Sequence, residues 1–162
     1  MIKCIGIVLI IAFFFSAGVY LSLRLKNRYE FLSLFREFLS SLKTNIRYNG
    51  GEIFELIERS MPLAIVEYFK SENYSGMDIY WDRCIKNIPK NAALKREDIS
   101  LIAEFGKTLG TTDIEGQLNH IELYKELISS NINNSIEEIK QKSKLYKMLG
   151  LFSGIAAALL LI

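Results

Sequence analysis

The residues able to do chemistry are few and badly spaced for it. His120 is the single histidine in the chain, so neither a multi-histidine metal site nor a Ser-His-Asp relay with a spare base is available. It reads as a helix-surface residue. Cys4 lies inside an apolar run and Cys84 in a short helix, which gives no CxxC, no zinc site and no disulfide. Gly106-Lys107-Thr108 has the look of the end of a phosphate-binding loop. That loop needs a further glycine five positions earlier and a preceding strand; Leu101 stands there, in a helical context, and nucleotide binding is rejected. Glu52, Glu55 and Glu58, and again Asp78 and Asp82, could share a proton or hold a cation. The same spacing serves a solvated helix face, and that reading is adopted. Asn73-Tyr74-Ser75 and Asn133-Asn134-Ser135 fit the glycosylation pattern, which has no meaning in a cytoplasmic segment. No catalytic residue, metal or cofactor is expected, and the chain is read as no enzyme.

Interaction signals are stronger, and they begin at the two ends. Residues 4–23 hold no charge, and twenty helical residues span about 30 Å, the thickness of a hydrocarbon core. Lys3 precedes this run; Arg24, Lys26 and Arg28 follow it. Residues 149–162 form a second uncharged run of about 21 Å, short for a span unless the helix starts at Leu145 and Lys147 reaches back to the headgroups. Lys140, Lys142, Lys144 and Lys147 precede it. Both sets of basic flanks place residues 24–147 in the cytoplasm and both termini outside. Setting these seven and Lys3 aside from the 20 basic residues leaves 12 against 18 acidic, so the middle is mildly acidic and nucleic acid is no expected partner. A cleaved signal peptide is the alternative for the first run, with Ser16-Ala17-Gly18 as small residues at a cleavage point. Against it, the apolar run continues through Val19, Tyr20 and Leu21. For the last run the alternative is a partly inserted tail. Gly150 and Gly154 form a GxxxG, and Ala12 with Ser16 a second small pair, both suited to close helix packing in lipid.

Between the ends the apolar spacing is helical throughout. Phe31, Phe35, Phe38 and Leu42, widened by Leu32, Leu34, Leu39 and Ile46, give a helix from about Arg28 to Tyr48, closed by Asn49-Gly50-Gly51. Glu52–Arg59 is a short helix. Ser60-Met61-Pro62 reads as the cap of another, through Phe69. A loop over Ser71–Gly76 leads to Met77–Asn87, which stops before Pro89. Lys95–Leu109 points Ile99, Ile102, Phe105 and Leu109 inward, and Gly110 closes it. Thr112 or Asp113 caps the longest helix, with a seam at Ile114, Leu118, Ile121, Ile128, Ile132, Ile139 and Tyr146, interrupted by Lys125, Ser135 and Lys142. This helix is expected to run directly into the last apolar segment. The fold class is therefore all-α: a compact bundle of about six helices (24–147), flanked by an N-terminal (1–23) and a C-terminal (148–162) transmembrane helix.

Over nearly its whole length the chain resembles the stage III sporulation protein AB family of endospore-forming bacteria. The resemblance rests on the N-terminal anchor with its basic flank, the Leu/Phe stripe of the first helix and the short helix carrying Trp81. Most specific is Phe105-Gly106-Lys107-Thr108-Leu109-Gly110 followed by Asp113, Gln117 and His120, and then the terminal Leu-Gly-Leu-Phe-Ser-Gly. Ile88-Pro89-Lys90-Asn91 departs from the family pattern. The resemblance implies a subunit of the channel complex between mother cell and forespore. Its soluble domain would be similar to the cytoplasmic domain of the type II secretion F platform protein. The implied partners are the complex's secretion-type ATPase and neighbouring membrane subunits, with a second copy of the chain left open. The implied location is the mother-cell membrane around the forespore. Gly106, Leu109, Gly110, Asp113 and Gln117 are the turn expected to carry family-specific structure or a partner contact. An exported helical protein and a generic membrane-bound adaptor remain the alternatives.

Overall fold

A computed structural model describes residues 2–67 and 76–160, with side chains from residue 5 onward. Helix α1 spans Ile2–Tyr48, α2 Ile53–Ser60, α3 Leu63–Val66, α4 Met77–Asn87, α5 Arg96–Lys107 and α6 Ile114–Leu160, with a 3-10 turn at Lys90–Ala92. No strand occurs among the described residues. The expected end of the third helix at Phe69, the Asn73-Tyr74-Ser75 pattern and the Ser71–Gly76 loop, Gly76 apart, lie outside the described residues. Two compact units are present: Met1–Asn27 with Asn134–Ile162, and Arg28–Asn133.

The second unit is the helical bundle. Its part of α1 buries Phe31, Leu32, Phe35, Phe38, Leu39, Leu42 and Ile46, the broad face that the spacing predicts. Helix α1 stops where Gly50 takes φ +59° and Gly51 φ +124°, conformations that cost a side-chain-bearing residue energy. Within the expected cap region Ser60-Met61-Pro62, Pro62 and not Ser60 takes the cap position. Ser60 ends α2, donates its hydroxyl to the Leu56 carbonyl and accepts from Asn45 Nδ2 at 2.7 Å. Asp113 does act as a cap, accepting the Gly116 N–H at 3.0 Å. Ile114, the first residue of the expected seam, is 64 % exposed, whereas Ile121, Ile128 and Ile132 are buried. The seam starts later because the first turn of α6 is not covered.

The expected inward face of α5 needs one correction. Ile99 is exposed, and its neighbour Asp98 is fully buried. Arg28, read from sequence as a membrane flank, is buried too and meets Asp98 through Nε–Oδ2 at 2.7 Å and Nη2–Oδ1 at 3.0 Å. Asn131 Nδ2 donates to Oδ1 at 2.9 Å, and the Lys95 backbone N–H to Oδ2 at 2.8 Å. Four hydrogen bonds thus compensate a carboxylate taken out of water, a condition for tolerating a buried charge. They tie α1, α5 and α6 to one point.

The first unit is an antiparallel pair formed by the start of α1 and the end of α6. Ser22 meets Ser143, hydroxyl to hydroxyl, at 2.6 Å. Both helices are long and apolar enough to cross a membrane.

Removing Arg28 leaves Asp98 buried without its counter-charge, which typically costs about 3–5 kcal/mol. Arg28→Ala should therefore lower the denaturation midpoint strongly, followed by circular dichroism in detergent micelles. Arg28→Lys should recover only part, because an ammonium cannot make the forked contact. A loss within experimental error for Arg28→Ala would contradict this role.

Candidate functional site

The segment joining α5 to α6 gathers the residues that sequence singles out. Trp81 on α4 lies against α5 and donates its indole N–H to the Ile102 carbonyl at 2.7 Å. A Cβ at Gly106 would overlap the indole ring, so the glycine is what lets the ring lie on the helix backbone. Trp81 also joins Phe35, Phe38 and Phe105 in a cluster with ring centroids 5.5–6.5 Å apart. Leu109 is buried. Gly110 adopts φ +81° beside the Ile53 side chain, a turn that a Cβ would strain. Gln117 is buried and donates through Nε2 to Thr112 Oγ1 at 2.9 Å.

His120 is not the plain surface residue expected. Its ring stacks on Phe105 at 5.3 Å and 8°, and it packs on Tyr124. Its Nε2 lies 3.0 Å from the Phe105 carbonyl and 2.8 Å from Thr108 Oγ1. The second distance resembles a hydroxyl–imidazole dyad, but a carbonyl can only accept, so Nε2 carries the proton. Thr108 Oγ1 also lies 3.4 Å from Nδ1, the nitrogen left without a proton. The pair closes the turn between α5 and α6.

The other reactive side chains are similarly occupied. Cys84 is buried, and desolvation pushes its thiol up to about 11 despite a counteracting hydrogen bond from Tyr80; it stays a protonated, unreactive thiol. The side chain of Cys4 lies outside the described set. Asp78 and Asp82 flank a cleft of about 390 Å³ floored by Trp81, Ile85 and Ala103 and bounded by Lys107, and Asp82 is paired with Lys86 at 2.5 Å. Glu55 pairs with Arg59, while Glu52 and Glu58 are exposed. Among the described residues no group of three or more His, Cys, Asp or Glu is placed to hold a metal. Besides the buried Asp98, sequence reasoning missed a second charged group. Glu122 sits between Lys43 and Lys125, and their hydrogen bonds hold its carboxyl below the usual range.

In the first unit the close approach uses glycines. A Cβ on Gly150 would stand 2.6 Å from the Phe14 carbonyl oxygen, one on Gly154 would stand 3.0 Å from Ile11 Cα, and one on Gly18 would overlap the Tyr146 carbonyl. Gly150 and Gly154 thus lie where the two helices meet. Ala12 and Ser16 do not: both are exposed, and the Ser16 hydroxyl turns back onto the Ala12 carbonyl at 2.7 Å. On α1 it is Gly18 that meets α6. Two turns of helix offered small residues, and only the partner's position selects between them.

Gly106→Ala should gain about 1 kcal/mol of helix propensity and lose more to overlap with a fully packed ring, typically about 1–3 kcal/mol. The net outcome is destabilisation, with a red-shifted emission of Trp81, the single tryptophan. Unchanged emission would refute the contact. Glu122 has a lowered folded-state pKa, so its contribution is complete above the ordinary value of 4.5 and is lost as pH falls through the folded value. Glu122→Gln should therefore cost stability at pH 7, under about 1 kcal/mol for so exposed a pair, and nothing once the wild-type carboxyl is protonated. Paired denaturation curves at neutral and acid pH check this.

Comparison with known proteins bears on the whole chain. It is 23 % identical over 170 residues to stage III sporulation protein AB of Bacillus subtilis (strain 168), covering 99 % of each chain. A second similarity, 27 % over 103 residues, is to a beta-ketoacyl-acyl-carrier-protein synthase III of Prochlorococcus marinus (strain MIT 9215). That one covers 59 % of this chain but 31 % of the enzyme, too little to carry over an activity. No solved structure gives a significant match. The sequence profile of stage III sporulation protein AB matches residues 3–162, with the Gly106 turn, the aromatic core and both apolar helices inside the matched range; the chain belongs to the stage III sporulation protein AB family.

Proposed function

We propose that this chain is a non-enzymatic platform in the mother-cell membrane around the forespore. It would be a subunit of the channel complex between the two cells during spore formation. Residues 1–23 and 148–162 cross the membrane, and residues 24–147 form a cytoplasmic domain akin to the type II secretion F domain. The observation that carries this reading is the pairing of the two apolar helices through Gly18, Gly150 and Gly154, in a chain whose whole length fits a sporulation family. It favours a retained anchor over a cleaved leader, since Gly18 belongs to the packed seam. Acidic residues outnumber basic ones between the flanks, and this surface would dock the secretion-type ATPase while the membrane helices contact neighbouring subunits.

Two measurements on one preparation test this. The ATPase should co-purify with the full-length protein from sporulating-cell membranes, and the mature N-terminus should retain the residues up to Gly18 by mass spectrometry. Loss of the ATPase with both proteins folded would sink the docking role, and a mature chain starting beyond Gly18 would sink the anchor.

A further inference from the structure

The first unit carries its own depth scale. Going up α1, Ile11 faces Gly154, Phe14 faces Gly150, Gly18 faces Gly150 and Tyr146, and Ser22 meets Ser143. From Ile11 to Ser22 the chain advances eleven residues while its partner runs back eleven, from Gly154 to Ser143. In this register Lys147 falls level with Gly18 and Lys144 with Leu21, and both lysines are exposed. Yet the uncharged run of α1 continues to Leu23. A headgroup layer starting at Arg24 would leave the base of Lys147 about 9 Å inside the hydrocarbon, six residues of helix rise. Charged side chains are strongly disfavoured there unless they reach out to the interface. Two tyrosines mark another level. Tyr20 is 61 % exposed, and Tyr146, which faces Gly18, lies within two residues of its level; tyrosines with a polar tip collect at headgroup depth. Just beyond them Ser22 and Ser143 bond to each other, which satisfies two hydroxyls at the edge of the apolar layer.

We propose that the headgroup layer crosses the helix pair at the level of Tyr20 and Tyr146, and that Lys144 and Lys147 bind the phosphates of anionic phospholipids there. This deepens the membrane reading and rests on it. Leu21 and Leu23 then lie among headgroups, Lys147 needs only a short reach, and the short apolar run of α6 matches the part of α1 that is immersed. The remaining thickness is small, and a bilayer thins locally around such a span.

The test uses full-length protein with Cys4→Ser, in vesicles of phosphatidylethanolamine and phosphatidylglycerol. Cys84 is buried, and labelling of the Cys4→Ser parent supplies its background. Spin labels at Phe13→Cys, Leu21→Cys and Leu23→Cys report access to oxygen against a water-soluble nickel chelate. Phe13 should favour oxygen, and Leu21 and Leu23 the chelate. If all three favour oxygen, the boundary lies at Arg24 and the proposal is overturned. If Phe13 also favours the chelate, the membrane reading itself has failed. The lipid arm compares motional restriction of spin-labelled phosphatidylglycerol with that of phosphatidylcholine. Lys144→Gln with Lys147→Gln should reduce the preference for the anionic lipid about tenfold or more, and the arginine variants should retain it. An unchanged preference in the glutamine variant would overturn the lipid contact.

Discussion

A carboxylate with no access to water organises the bundle. Asp98 has to be fully compensated, and its partners come from α1 (Arg28), α6 (Asn131) and the backbone just ahead of α5 (Lys95). Apolar contacts alone tolerate sliding and rotation, because one leucine resembles another. A forked guanidinium–carboxylate contact does not. A one-residue shift of α1 would point Arg28 elsewhere and strand Asp98. The pair therefore sets which helix faces meet, with net stabilisation smaller than its Coulomb attraction suggests.

With the helices registered, the aromatic cluster fills the interior. Phe35 and Phe38 from α1, Trp81 from α4 and Phe105 from α5 are mutually in contact, and His120 extends the stack to α6. Gly106 is the enabling absence: a side chain there would push out the largest ring in the core. The family-like Phe-Gly-Lys-Thr-Leu-Gly stretch thus has a packing reason at nearly every position. Phe105 and Leu109 are buried, Gly106 admits the indole, Thr108 meets His120 and Gly110 makes the turn.

Much of the fold is legible in the sequence because it depends on neighbours along the chain. The Leu/Phe face of α1, the glycine stop at Gly50 and Gly51, the end of α4 before Pro89 and the Asp113 cap are all local. What sequence misreads depends on distant partners. Arg28 stands among Arg24 and Lys26 after an apolar run, and nothing nearby announces a carboxylate 70 positions away. Ile99 beside Asp98 follows the same logic, since an isoleucine is expected inside and an aspartate outside until the charge is known to be paired. At the seam, Ala12 and Ser16 satisfy the small-residue pattern as well as Gly18 does. At the turn, Gly106 is legible as a special position, but its reason, the face of Trp81, is not.

The glycine seam also has a consequence in time. Ser22 and its partner Ser143 are 121 positions apart, and a ribosome adding ~5–20 residues per second needs on the order of ten seconds to bridge that interval. For that period the first helix is complete while the surface it fits is unmade. Its seam is then open to any neighbouring helix with small residues, including the same segment of another nascent chain. The finished pair closes that window by occupying the groove from within.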